Sequence, residues 1–233
     1  MLSAAAGQIV VTATRAFTSS RLEQLEVAIR QVVCQFHQTR PLDPGLPVQA
    51  LREQPRWHAE AVQHVIDSLM RSGGLINRAG LVALAGWNPE PSAAHTARIE
   101  AIAARLDSAG IAPPSVTELS SEFGADVTPE LRFLERGGRV VQVEADRYFT
   151  TPHLNAVLDR LRVAMAGGVE RSPAELRETL DLSRKYLIPL LEYCDRMGHT
   201  IRSGTDECGE VAKFCYHTGM QRHGSLDRLV CAS

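Results

Sequence analysis

Residues 172–204 read SPAELRETLDLSRKYLIPLLEYCDRMGHTIRSG, and their layout decides the fold. Ser172-Pro173, with Glu175 three positions after the serine, predicts a helix start: serine oxygen and glutamate carboxylate can satisfy the free N–H groups of a first turn. Asp181 opens a tight turn, a second helix runs to Met197, and Gly198 ends it ahead of a hairpin. This second helix begins with Ser183, Arg184, Lys185 and Tyr186. A hydroxyl, two cations and an aromatic ring match what a nucleic-acid phosphate needs, placed where backbone N–H groups are free and the helix dipole is positive.

The same plan recurs upstream. VIDSLMRSGGLINRAGLVAL (65–84), LRFLERGGRVVQVEADRYFT (131–150) and LLEYCDRMGHTIRSGTDE (190–207) each run from an apolar helix through glycine into a hairpin-like segment. The landmark glycines Gly73, Gly137 and Gly198 return about every sixty residues, which predicts tandem copies of one small domain rather than a single core.

Each copy reads as three helices and a two-stranded wing, the winged-helix plan. In the first, at 21–88, Leu25, Ile29, Val32, Val33 and Phe36 recur at helical spacing over 22–38. Pro47 suits the first turn of a short helix through Leu51, and Trp57 to Arg71 forms the third helix. Leu75-Ile76 and Leu81-Val82 pair around Arg78-Ala79-Gly80. The second, at 89–150, has a helix from Ser92 to Ser108, a capping pair in Ser115 and Glu118, and a third helix from Thr128-Pro129 to Arg136. Its wing strands hold Val140, Val141, Val143, Tyr148 and Phe149. The third, at 151–207, adds a helix from Thr151 to Met165 ahead of the opening stretch. Residues 1–20 read as a leader or linker remnant and 208–233 as an atypical tail. The fold class is mainly α with small β-hairpin wings.

Composition narrows the function. The chain has 233 residues, 44% of them hydrophobic, and a formal net charge of −2, so nucleic-acid contact has to come from a local patch. Its five cysteines are scattered and odd in number, which predicts reduced thiols and a cytoplasmic protein. The N-terminal run lacks the length and flanks of an export or membrane segment. No GxxxxGK[ST] run is present, so GTP binding by a P-loop is excluded, and no catalytic triad, CxxC or paired carboxylate points to an enzyme. No cofactor or metal is expected: Cys208, Cys215, His217 and His223 fit no common zinc spacing.

The candidate binding residues are Ser183, Arg184, Lys185 and Tyr186 with Arg177 in the preceding helix, Arg171 just before it, and Arg202 in the wing. These cations can converge on one face of a winged helix. Ser183 either caps the helix or touches a phosphate; Tyr186 either stacks on an extruded base or packs into the core. Spacing alone leaves open a bland reading, a well-capped and solvated helix start. Pro189 interrupts the helix and predicts a kink or a first-turn position. His37, beside Phe36 at a helix end, reads as a cap or packing residue.

The run LSRKYLIPLLEYCDRMGHTIR resembles the last winged-helix module of the bacterial selenocysteine-specific elongation factor family, SelB. The likeness is close over 176–204 and looser back to about Phe36. The resemblance implies an arm that grips an mRNA stem-loop, the selenocysteine insertion element, so that an in-frame UGA is decoded as selenocysteine. Ser183, Arg184, Lys185 and Tyr186 match the family's SRKY run, and Arg202 matches a basic wing position. It further implies partners reached through a GTPase body, namely the ribosome and selenocysteinyl-tRNA, no membrane, and a monomer. The GTPase is absent from the chain, which reads as the arm of a truncated or split gene product. After Gly204 the likeness ends, which leaves the second wing strand in doubt. Two other readings remain: a winged-helix DNA-binding regulator, poorly served by the third-helix starts Trp57-His58-Ala59-Glu60 and Thr128-Pro129-Glu130, and a tandem winged-helix protein-interaction scaffold.

Overall fold

The structure, a computed structural model, describes residues 9–12, 14–203 and 213–216, with the side chains of Arg202, Ser203 and Lys213 outside that description. It divides into two compact units, residues 1–92 and 93–233.

In the first unit, β1 (Ile9–Val11) and β2 (Ala16–Thr18) pair antiparallel within the stretch read as a leader. Helix α1 (Ser19–Thr39) buries Leu22, Ile29, Val33 and His37, a stripe set by helical periodicity. β3 (Leu46–Pro47) leads into α2 (Val48–Arg52) and then α3 (Ala59–Arg71). The third helix starts at Ala59 rather than at Trp57, because His58 is its N-cap and accepts the Glu60 N–H. β4 (Leu75–Arg78) and β5 (Leu81–Leu84) form the wing, but Leu75 and Ile76 lie opposite Leu84 and Ala83 rather than Leu81 and Val82, because the turn takes only Ala79 and Gly80 and leaves Arg78 paired with Leu81; β3 adds a third strand against β5. Ile29, Val33, Leu51, Val62, Ile66 and Leu69 lie in one core. His37 packs there: its ring stacks on Trp87 at 3.9 Å between centroids, and its Nε2 accepts the Leu84 N–H at 3.2 Å.

The second unit holds two winged helices in succession. The first comprises α4 (Ala93–Ala109), α5 (Val116–Glu122), α6 (Thr128–Arg136), β6 (Val140–Glu144) and β7 (Arg147–Thr150). The Ser115–Glu118 capping box forms as its sequence dictates. The next comprises α7 (Thr151–Ala164), α8 (Pro173–Leu180), α9 (Arg184–Arg196), β8 (Thr200–Ser203) and β9 (Lys213–Tyr216). β7 ends at Thr150 and α7 begins at Thr151, so no linker separates the two. They share a core: Val143 and Phe149 of the upstream wing cluster with Leu154, Leu161, Leu187 and Leu190. Emptying Leu190 to alanine would cost about 2–5 kcal/mol, because such a site collapses only partly.

The third helices of all three copies end alike. The N–H groups of Gly74, Arg139 and His199 reach back to the carbonyls of Leu69, Leu134 and Cys194 at 2.8, 2.9 and 2.8 Å. Each closure needs one left-handed residue, supplied by Gly73, Gly138 and Gly198 with φ of 72°, 68° and 74°. In the middle copy this residue is Gly138, not Gly137, which takes φ −78° as the C-cap. The fold is thus a set of tandem winged helices, mainly helical with small antiparallel wings.

One strand falls where the sequence reading placed none. β9 pairs with β8 in the register Thr200↔Tyr216 to Ser203↔Lys213, and Phe214 is buried in the shared core. The backbone of Phe214 also exchanges two hydrogen bonds with Arg171, at 2.9 and 2.8 Å.

Candidate nucleic-acid interface

Helix α8 starts in a second capping box. The Ser172 N–H and hydroxyl donate to Glu175 Oε2 at 2.7 and 2.9 Å, and the Glu175 N–H donates back to Ser172 Oγ at 3.3 Å. The Ser172 N–H, then its hydroxyl and Arg171, hold the Glu175 carboxyl below its usual range. After Leu180 the chain turns through Asp181, which adopts φ 54° and ψ 47°, a left-handed conformation that Asp tolerates.

Ser183 is the N-cap of α9, yet its hydroxyl accepts no cap hydrogen bond. Of the two roles open to it, capping is therefore unused. Ser183, Arg184 and Lys185 are exposed, and the first turn of α9 holds no acid. Cations at this end oppose the helix dipole and add nothing to helix stability, whereas an anion placed there is favoured. Among the described residues Arg184 has no ion-pair partner. Lys185 Nζ lies 3.9 Å from Glu118 Oε1 of the upstream winged helix, with both side chains more than half exposed, so the pair is weak.

Tyr186 is half-buried against the shared core. The Arg147 guanidinium lies 5.0 Å from its ring centroid and Lys185 Nζ lies 5.5 Å away. Arg147 is itself 4% exposed; its Nη1 donates to the Pro113 carbonyl at 2.6 Å and its Nε to Glu144 Oε1 at 3.4 Å. Sequence reading missed Arg147, since a lone arginine in a wing carries no local signal. Arg196, at the far end of α9, donates to the Val143 carbonyl at 3.1 Å, so both ends of α9 are held by the upstream wing.

The other named cations sit differently. Arg177 is exposed on α8. Arg171 is half-buried, pairs with Glu175 at 3.4 Å and donates to the Ala164 carbonyl at 3.4 Å. Arg202 occupies β8 opposite Phe214, and its side chain lies outside the described residues. Pro189 lies inside α9 beyond its first turn. Cys215 is in β9, while Cys208, His217 and His223 lie outside the described residues; among those described, no group of three His, Cys, Asp or Glu could hold a metal. No described helix is long and apolar enough to cross a membrane.

The upstream copies start their third helices without this exposed charge. In α6, Glu130 is 5% exposed and paired with Arg98 at 2.8 Å; Arg98 also donates to the Phe123 and Ala125 carbonyls, both at 3.1 Å. That helix start is spent on structure.

Repeated three-helix bundles with hairpin wings, one of them presenting a bare cationic helix start, define a tandem winged-helix protein. Residues 30–84 and 169–207 each match a family model described as elongation factor SelB, winged helix. These two stretches of the chain are similar to the winged helices of that family. The selenocysteine-specific elongation factor of Desulfomicrobium baculatum is 24% identical over 188 residues, 78% of this chain and 30% of its own. That of Escherichia coli is 26% identical over 184 residues, 76% of this chain and 29% of its own. The chain thus spans about a third of the length of these relatives. The crystal structure of a bacterial selenocysteine-specific elongation factor, EF-Sec, shares the fold, with a TM-score of 0.52 and 16% identity over 90% of this chain and 32% of that one.

Proposed function

We propose that this chain is an RNA-binding arm that holds the selenocysteine insertion hairpin of an mRNA, so that UGA is decoded as selenocysteine. The start of α9 is the contact: Arg184 and Lys185 meet backbone phosphates, the Ser183 hydroxyl and free N–H groups add donors, and the exposed edge of Tyr186 faces an unstacked loop base. Arg177, Arg171 and Arg202 flank it. In this reading the arm acts as a cytoplasmic monomer and reaches the ribosome and selenocysteinyl-tRNA through the GTPase body of the longer factor.

The observation that carries the reading is the exposed Ser183-Arg184-Lys185 start, where the cap hydroxyl is unengaged and the first turn of α9 holds no acid. Charge-assisted contacts of this kind are short and strong. A gel-shift comparison tests it: the RNA hairpin should shift at concentrations where duplex DNA of equal length does not. An equal shift of both would favour a DNA-binding winged helix instead.

A further inference from the structure

The first unit carries a cleft of about 330 Å³, lined by Phe17, Arg21, Gln24, Arg56, Trp57 and His58 among others. It lies beside the start of α3. His58 and Ser183 hold the same place relative to Gly73 and Gly198, and the helices they cap are both 13 residues long. The chemistry differs from the α9 start. Here the cations flank a concavity with aromatic walls, instead of standing on an open helix end.

Arg21, Arg56 and His58 are exposed, and among the described residues neither arginine has an ion-pair partner. Glu60, the acid in the first turn of α3, is already engaged. Its two carboxylate oxygens accept the Thr14 N–H at 2.9 Å and the Thr14 hydroxyl at 2.8 Å. Trp57 and Phe17 are half-buried against the unit's core, and the Phe17 and His58 rings meet at 5.8 Å. Rings fixed by a core on one side and open to a cleft on the other form a stacking wall.

We propose that this cleft binds single-stranded RNA, with Arg21 and Arg56 on the phosphodiester and an unpaired base against Trp57. The volume is at the scale of a small-ligand pocket, which suits one nucleotide. A duplex hides its base faces, and an acidic peptide has none, so either would leave the aromatic wall unused. The site is separate from the α9 start and stands or falls apart from it.

The test uses the full chain carrying Arg184→Ala and Lys185→Ala, titrated with an unstructured RNA strand of about ten nucleotides, within the size range of single-strand sites, while tryptophan emission is followed. Saturable quenching is expected, lost in Trp57→Phe and weakened at least fivefold by Arg21→Gln with Arg56→Gln, with an unchanged circular dichroism spectrum. Glutamine at these exposed positions removes charge and keeps length, so folding is preserved. Absent quenching, quenching indifferent to the arginine changes, or equal competition by duplex RNA or polyglutamate would overturn the proposal. The hairpin shift of the unaltered chain is scored separately, so loss of one site is not read as loss of the other.

Discussion

The guanidinium of Arg147 lies over the ring of Tyr186, 5.0 Å from its centroid, and joins the wing of one winged helix to the third helix of the next. Arg147 is buried and anchored on the Pro113 carbonyl, so Tyr186 has a fixed partner on its inner side. Replacing Arg147 with methionine removes that partner and leaves the Pro113 carbonyl without its donor, a loss of about 1–3 kcal/mol. The expected result is a lower Tm together with weaker hairpin binding. Arg147→Lys, which keeps the charge and loses the planar fork, should recover much of the stability and less of the RNA affinity. Unchanged affinity in both variants would remove Arg147 from the account of the site.

Lys185 and Glu118 allow a gain-of-function test. Glu118→Gln keeps the capping box, since glutamine serves at that position, and removes the negative charge 3.9 Å from Lys185. Hairpin affinity should rise by about twofold to fivefold, in line with the small energy of an exposed pair. A fall in affinity with an unchanged melting curve would mean that Lys185 does not face the RNA.

Acid should weaken the first unit through His37. Burial pushes the His37 imidazole below its usual 6.5. The unfolded chain therefore takes up a proton before the folded one does. The stability from neutral His37 is complete above pH 6.5 and is lost as pH falls through the lowered folded value. His37→Gln should be less stable at pH 7.5, since it loses the stack on Trp87, and should show a shallower further loss between pH 6.5 and 5. Parallel acid profiles would contradict this.

Base should weaken the second unit through Cys194. Burial pushes this thiol up to about 12, from an ordinary 9.0. The unfolded chain loses its proton first, so stability is complete below pH 9.0 and is lost as pH rises toward 12. Tyr193 and Tyr216, also raised by burial, act in the same direction, so the diagnostic quantity is a difference. The stability gap between the native chain and Cys194→Ala should shrink by about 1.4 kcal/mol per pH unit above 9.0. A constant gap would show that the thiol is not buried in the folded state.

What the sequence made legible was local. Ser115 with Glu118, Ser172 with Glu175, and Thr128-Pro129 announce helix starts within four residues, and all three helices begin there or one residue on. The α9 start could be read because its charges are consecutive. The parts that were not legible depend on distant partners. Arg147 acquires its role from Pro113 and Tyr186, β3 is two residues long and pairs across a turn and two helices, and β9 follows a stretch with no hairpin turn signal. Lys185 looked like a free cation because Glu118 lies far away in sequence. Gly137 and Gly138 are adjacent, and only backbone conformation tells which of them closes the helix.

The most direct measurement is a filter-binding titration of the chain and its Arg184→Ala variant against a labelled selenocysteine insertion hairpin, a loop-scrambled hairpin and a duplex DNA. The account predicts binding to the native loop in preference to both controls, weakened at least several-fold by Arg184→Ala, with a shallow salt dependence that reflects few phosphates. Equal affinity for all three, or an Arg184→Ala variant that binds as tightly as the native chain, would contradict it.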